Sequence, residues 1–248
     1  MITHAGGAAS LTGLLFCAGI ATAQTTNDSA SHTARHDMPG DAATHAATDV
    51  AMAEMLHDGA HMRLSPMRVP TAEDSLRADS IVFALRDAIA KYRDVRVAEA
   101  DGYRMFAPGV PQRIYHFTSW ENAVRAELGF DASRPTSLLY SKDSAGRFQL
   151  IGAMFTAPAR SSDDDLNARV PLGIARWHMH TDICVPRHLR DRAEWTRTRN
   201  GRPLFGPASP IATEAECRAV GGRFRKRVFN WMVHVNAYAT DAWSGHSH

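Results

Sequence analysis

The sequence predicts an α+β fold in which an N-terminal helix is followed by a mainly antiparallel sheet with short helices. Two patterns lead to this expectation. Between residues 72 and 93, apolar side chains recur at helical spacing. Strand-like runs follow, such as SLLYS and RFQLIGAMFTA, which are separated by a turn and predict a β-hairpin. A chain with its main helix first and antiparallel strands after it belongs to the α+β class.

Residues 1–23 are expected to be a signal peptide. An apolar run from Leu11 to Ile20 precedes Ala21-Thr22-Ala23, which matches the small-x-small site of signal peptidase. The run is shorter than the roughly 20 apolar residues that a membrane span needs. We therefore expect a soluble mature protein, periplasmic or secreted, with no membrane span.

Residues 24–70 are expected to be a disordered arm, because they are rich in Ala, Asp, Thr and His and show no sustained apolar periodicity. The arm carries strings such as HDMPG and MLHDGAHMRLSPM, in which His and Met alternate with polar residues. Thioether and imidazole groups are ligands that select copper, Cu(I) especially. A low-complexity linker with chance enrichment in these residues is the alternative interpretation.

Residues 71–248 are expected to form one domain. Thr71, with Asp74 three positions later, predicts a capped helix from 72 to about 93. Further helices are predicted at 95–100, 119–129 and 213–222. Strands are predicted at RIYHF (113–117), in the two hairpin runs, in LGIARWHMHTDIC, and in RVFNWMVHVNAY (227–238).

Two cysteines remain after the signal peptide, Cys184 and Cys217. An even pair in an oxidising compartment predicts a disulfide, while a thiolate metal ligand at Cys184 is the competing interpretation. The formal net charge of +2 argues against nucleic acid as a partner.

Histidines recur on the predicted strands. In a strand, alternate side chains share a face, so His178, His180 and Asp182 are expected on the face opposite Trp177 and Met179. The same alternation separates His234 from Trp231, Val233 and Val235, and His116 from Tyr115 and Phe117. Neighbouring strands would bring these histidines together.

The resulting hypothesis is a metal site. His178, His180 and His234 would supply three nitrogens, with His116 or Asp182 as a fourth ligand or as a partner of a ligand. Imidazole suits zinc, copper and iron, and three protein ligands with one open position also describe catalytic zinc. The His-x-His-x-Asp spacing is similar to the start of the metallo-β-lactamase signature, but Ile183 stands where that signature has histidine.

A broader resemblance covers most of the chain after residue 61. The segments VPQRIYHF, RPTSLLYSKDSAGRFQLIGAMFTAP, RVPLGIARWHMHTDICVP and FNWMVHVN together resemble an uncharacterised family of exported bacterial proteins. The resemblance implies that the histidine segments belong to one recurring unit. It implies no activity.

Three functions are compatible with these patterns. The first is an exported metal-binding protein that handles copper, with zinc or iron as other possible ions. The second is a metal-dependent hydrolase or oxygenase that uses the same histidines, with Asp182 or Glu121 as base. The third is a structural domain whose histidines only make hydrogen bonds.

Overall fold

The computed structural model describes residues 61–108 and 112–243 of the chain. The predicted signal peptide and the part of the predicted arm up to residue 60 lie outside these ranges. The described residues combine helices with a mainly antiparallel sheet, so the predicted α+β class is confirmed. No helix in the described ranges has both the length and the apolar character required to cross a membrane.

Each described helix begins at a Ser, Thr or Asp whose side chain caps it. In helix α1, Thr71 Oγ1 accepts a hydrogen bond from the Asp74 amide at 3.1 Å, and the Asp74 carboxylate accepts one from the Thr71 amide at 3.0 Å. The same device begins α4 and α6. The helices are α1 (Ala72–Ile89), α2 (Val95–Ala100), α3 (Trp120–Leu128), α4 (Asp163–Arg169), α5 (Arg192–Trp195) and α6 (Glu214–Ala219), and a 3₁₀ turn (Ala90–Arg93) extends α1.

Most strands of the described chain join one antiparallel sheet. Its order is β1-β6-β10-β5-β4-β3-β2, and β9 pairs with the second half of β6, while β7 and β8 form a separate hairpin. The strands are β1 (Met62–Leu64), β2 (Arg104–Met105), β3 (Tyr115–Thr118), β4 (Ser137–Lys142), β5 (Phe148–Ala157), β6 (His178–Val185), β7 (Thr198–Arg199), β8 (Arg202–Pro203), β9 (Arg223–Arg227) and β10 (Trp231–Val235).

Residues 61–70 differ from the prediction, which placed them in the disordered arm. Met62–Leu64 is strand β1, paired with β6, and Ser65 continues the pairing by exchanging two hydrogen bonds with Trp177. The folded part therefore includes residues before Thr71. The three-residue strand is too short to show a sequence alternation, and it is stabilised by its pairing with β6 rather than by its own composition.

The sheet has two buried faces of unequal size. One face packs against α1 and forms the main core, which includes Phe117, Tyr140, Phe155, Trp177 and Trp231. On the other face, the histidines lie beside a second, smaller apolar cluster of Ile114, Leu139, Ile151, Met154 and Met232. The alternation predicted for His116, His178 and His234 is therefore observed, since their strand neighbours Phe117, Trp177 and Val233 are in the main core.

A β-bulge bends the sheet at its centre. Leu139 pairs with Gly152 but Tyr140 pairs with Leu150, so Ile151 is an extra residue on β5. A Cβ atom added to Gly152 would lie 1.9 Å from the carbonyl oxygen of Val235 on β10. Only glycine therefore permits this close approach of β5 and β10.

A disulfide ties the end of β6 to α6. Cys184 and Cys217 are bonded, with their Cα atoms 5.4 Å apart, and a third apolar cluster of Leu204, Phe205, Ile211 and Val220 packs around them. The predicted disulfide is present, and the competing interpretation of Cys184 as a thiolate ligand is wrong. A sulfur atom in a disulfide has no thiolate to offer.

We expect Gly152→Ala to disrupt the fold, because the new methyl group would have to displace the β10 main chain. Overpacking of this kind costs roughly 1–3 kcal/mol or more, and urea unfolding would measure the loss. Gly129→Ala is the control, since nothing lies within 4 Å of a Cβ there. Equal stability of the two variants would contradict the close approach.

We also expect the double variant Cys184→Ser/Cys217→Ser to unfold more easily. The bond closes a loop between residues 33 positions apart, which the chain-entropy model values at roughly 3–4 kcal/mol. Denaturant unfolding of the wild type with and without reductant should show the same loss. A non-reduced mass that is not lower by two hydrogen atoms would show that the bond does not form.

Candidate metal centre

Strand pairing positions three of the predicted histidines next to each other. His178 and His180 lie two residues apart on β6, and His178 is in register with Met232 on the adjacent strand β10. His234 follows Met232 by two residues and therefore shares its face. The His-x-His pair and His234 meet because β6 and β10 are neighbours in the sheet.

His116 joins them from a distant strand. It lies on β3, which β4 and β5 separate from β10. Even so, His116 Nε2 is 3.4 Å from His234 Nε2. Strands in a sheet are about 4.8 Å apart, so a flat sheet would hold these two strands roughly 14 Å apart. The contact shows that the sheet curves around its histidine face.

The four rings form a row. Ring centroids are 5.6 Å apart for His180 and His178, 4.9 Å for His178 and His234, and 5.5 Å for His234 and His116. The arrangement therefore brings together all four predicted histidines. The shortest centroid separation is that of His178 and His234, and His116 and His234 face each other through their Nε2 atoms.

The distance between His116 and His234 has a specific chemical meaning. Two nitrogens bound to one tetrahedral ion at about 2.0–2.1 Å are about 3.3–3.4 Å apart. A hydrogen bond between two rings would normally be shorter, since donor and acceptor prefer about 2.7–3.2 Å. The pair is thus spaced as two ligands of one metal ion are.

Burial disfavours the charged form of an imidazole. His178 and His234 are 0% and 2% exposed. Burial lowers the pKa of His116 to about 4, partly opposed by a hydrogen bond with the main chain of Ile114. Burial also lowers the pKa of His180, although a hydrogen bond with the main chain of His61 opposes the shift. At neutral pH His116 and His180 are therefore neutral imidazoles, which is the form that binds metal ions.

Asp182 has a main-chain conformation that is unusual for a strand residue. Its φ angle is +53°, which interrupts the regular alternation of β6 after Thr181. Its main-chain carbonyl oxygen lies 2.8 Å from His61 Nδ1. The regular alternation, which was expected to place the carboxylate on the histidine face, does not continue through this residue. A role for Asp182 as a ligand stays a prediction.

His61, which the sequence analysis assigned to the arm, is a buried part of the fold. Its Nδ1 lies 2.8 Å from the Asp182 carbonyl oxygen and its Nε2 lies 2.6 Å from the Ser209 carbonyl oxygen. Carbonyl oxygens only accept, so both contacts are hydrogen bonds only when His61 carries both ring protons. His61 therefore connects the start of β1 to two later segments instead of joining the row.

Two aromatic residues lie beside the row. Phe229 contacts His180 with ring centroids 6.5 Å apart, and Phe229 contacts Phe106 at 5.3 Å. The Phe106 amide in turn donates to the carbonyl oxygen of His116 at 2.7 Å. Both aromatic side chains remain partly exposed.

The pairing register reveals methionines that the sequence analysis did not assign to the site. Met62 is opposite His180, Met232 is opposite His178, and Met154 is opposite His234. The alternation in WMVHVN already places Met232 on the face of His234, but Met62 and Met154 depend on the register between strands, which is not visible in the sequence.

In the described ranges, no group of three or more His, Cys, Asp and Glu side chains is arranged to hold a metal ion. The imidazoles of His116 and His234 have nitrogen atoms close together, and those of His178 and His180 continue the row. Completing a coordination shell around that pair needs either a ligand of another type or a movement of a neighbouring imidazole.

Comparisons with protein-family models, with curated proteins and with solved structures found no match to this chain.

We expect the stability of the metal-free protein to fall as the pH falls from about 6.5 towards 4. An unfolded histidine titrates near pH 6.5, whereas the folded pKa of His116 is about 4. In this range the unfolded state binds more protons, so acid favours unfolding. His116 alone should contribute roughly 2 kcal/mol between pH 7 and pH 4.5.

Urea unfolding at the two pH values would measure this effect in the wild type and in His116→Leu. The variant should lose less stability on acidification, because leucine does not titrate and the site is already next to Ile114 and Leu139. His188→Gln, at an exposed position, is the control. An unchanged pH dependence in His116→Leu would show that His116 is not buried as a neutral ring.

Proposed function

We propose that this chain is an exported metal-binding protein whose cargo is copper and whose binding site is the histidine row. The observation that carries the proposal is the 3.4 Å separation of His116 Nε2 and His234 Nε2, which matches two ligands on one ion. His178 and His180 extend the same row with two further imidazoles.

The chemistry of the donors supports this proposal. Binding of a metal ion requires a deprotonated ligand, and burial already keeps His116 and His180 neutral. The cost of removing a proton is thus absent. Imidazole is a common ligand of copper, and the Met/His strings of residues 24–60 add a second set of ligands that suit copper.

The alternative of a metal-dependent enzyme is less well supported. A catalytic ion needs an open position that substrate and water can reach, whereas His178 and His234 are almost completely buried. Two cavities, of about 200 and 350 Å³, lie around Arg125 and Arg169 and include none of the four histidines. His116 and His180 are only partly exposed, and a site with so little access suits binding or transfer of an ion.

Export is part of the same proposal. The segment before residue 24 has the pattern of a signal peptide, and the Cys184–Cys217 disulfide is compatible with an oxidising compartment. We infer a periplasmic or secreted location, where a protein with a closed site would store copper or deliver it.

The test is the copper content of the mature protein after equilibrium dialysis. We expect about one tightly bound equivalent or more, and a loss of at least one equivalent in His116→Ala/His234→Ala. His188→Ala is the control, because it also removes an imidazole but from an exposed position outside the row. Circular dichroism would establish that each variant is folded.

Two results would contradict the proposal. If the wild type binds no copper, zinc or iron, the histidines are structural. If copper binds equally well to the wild type and to a folded His116→Ala/His234→Ala variant, the ion is held elsewhere in the chain.

A further inference from the structure

Three methionines on the histidine face are each directly opposite a histidine. The pairs are Met62 with His180, Met232 with His178 and Met154 with His234, and they come from three different strand pairings. Residues directly opposite each other in an antiparallel pair have Cβ atoms about 4.5–5.5 Å apart. A thioether therefore accompanies each imidazole of β6 and β10.

Two of these methionines are buried beside the site. Met154 is 7% exposed and Met232 is 5% exposed, and both belong to the small apolar cluster on this face. Methionine can fill a core without any other role. The register distinguishes these two from Met179, which is also buried on β6 but packs into the main core on the opposite face.

The charge of the face limits the ion it can hold. Among the described residues that the strand register places on this face, the side chains carry imidazole, thioether, hydroxyl, amide, guanidinium or hydrocarbon groups, and none is Asp or Glu. They are Met62, Leu64, Arg104, His116, Thr118, Ser137, Leu139, Ser141, Gln149, Met154, Thr156, His178, His180, Met232 and His234. Burying an ion without a compensating charge is costly, and the cost rises with the charge of the ion. A monovalent ion is therefore favoured over a divalent one.

Ligand softness gives the same answer. Thioether sulfur is a soft ligand that suits Cu(I), whereas imidazole alone suits zinc and Cu(II) equally well. The imidazoles of His116 and His234 supply two nitrogens at the separation of a shared ion. Met154 is directly opposite His234 in the pairing of β5 with β10, so its thioether is available beside that imidazole. This set also explains why His, Cys, Asp and Glu side chains alone do not complete a site in the described ranges.

We propose that the histidine face binds copper as Cu(I), with the thioethers of Met154 and Met232 as ligands beside the imidazoles. This inference rests on the proposed function and adds the oxidation state and the sulfur ligands. The ion is thus bound by both nitrogen and sulfur ligands. The two methionines cause the preference for Cu(I) over zinc.

In the experiment, the full-length mature protein competes with a chelator for Cu(I), without oxygen and with ascorbate present. The wild type and Met154→Leu/Met232→Leu are compared. Leucine preserves the volume of methionine, so the core should be retained. We expect Cu(I) affinity to fall at least tenfold in the double variant, while zinc affinity, measured in parallel, changes by less than about threefold. The matched control is Met179→Leu, which should bind Cu(I) as the wild type does.

A second measurement distinguishes Cu(I) bound by the sheet from Cu(I) bound by the Met/His strings near the N-terminus. The mature protein is labelled with ¹³C in its methionine methyl groups, and the signals of Met154, Met232 and Met179 are assigned from the leucine variants. Addition of Cu(I) should shift the signals of Met154 and Met232 and leave that of Met179 in place.

The outcomes are distinct. If Cu(I) binds with unchanged affinity in Met154→Leu/Met232→Leu and their methyl signals do not shift, the sulfur ligands are absent and this inference is wrong, although the proposed function stands if the histidine variants lose copper. If the wild type binds no metal ion, both proposals fail. If the double variant loses zinc and Cu(I) equally, the methionines only support the histidines, and the inference is again wrong.

Discussion

The curvature of the sheet around its histidine face is the constraint on which the site depends. His116 and His234 come from strands with two others between them, and a flat sheet would keep them out of reach of each other. The absence of a side chain at Gly152 lets β10 approach β5 closely, and a bulge at Ile151 interrupts the pairing of β5 with β4. The 3.4 Å contact between the imidazoles needs a curved sheet.

The two faces of the sheet perform different tasks. The face that packs against α1 contains the large aromatic and aliphatic side chains, so it provides most of the apolar burial that stabilises the fold. The histidine face is also buried, but by a small cluster in which methionine and histidine alternate with aliphatic residues. Burying imidazoles lowers the stability of the protein in acid, and the main core provides the stability that makes this possible.

Much of the fold could be predicted from the sequence because its signals are local. The capping box at Thr71, the period of the first helix and the hairpin between β4 and β5 are all read from neighbouring residues. Helix α4 has an equally local signal, a serine followed by three aspartates, which the sequence analysis did not use. Strand β1 has none, because three residues do not establish a period and the strand exists through its pairing with β6.

The site was predictable to the extent that it depends on alternation within a strand. Alternation placed His178, His180 and His234 on one face, but it could not show that β3 would reach them, since that depends on how the sheet curves. The positive φ angle of Asp182, which interrupts the strand after Thr181, is likewise not visible in the sequence. Strand register, which depends on the whole sheet, placed Met62 and Met154 opposite histidines.

The most direct test of the central claim is a crystal structure of the protein loaded with copper without oxygen, with anomalous diffraction at the copper absorption edge. The account predicts a copper peak about 2.0–2.1 Å from both His116 Nε2 and His234 Nε2, with a methionine sulfur also in contact. A folded, copper-loaded protein whose only copper peaks lie away from this pair would contradict it.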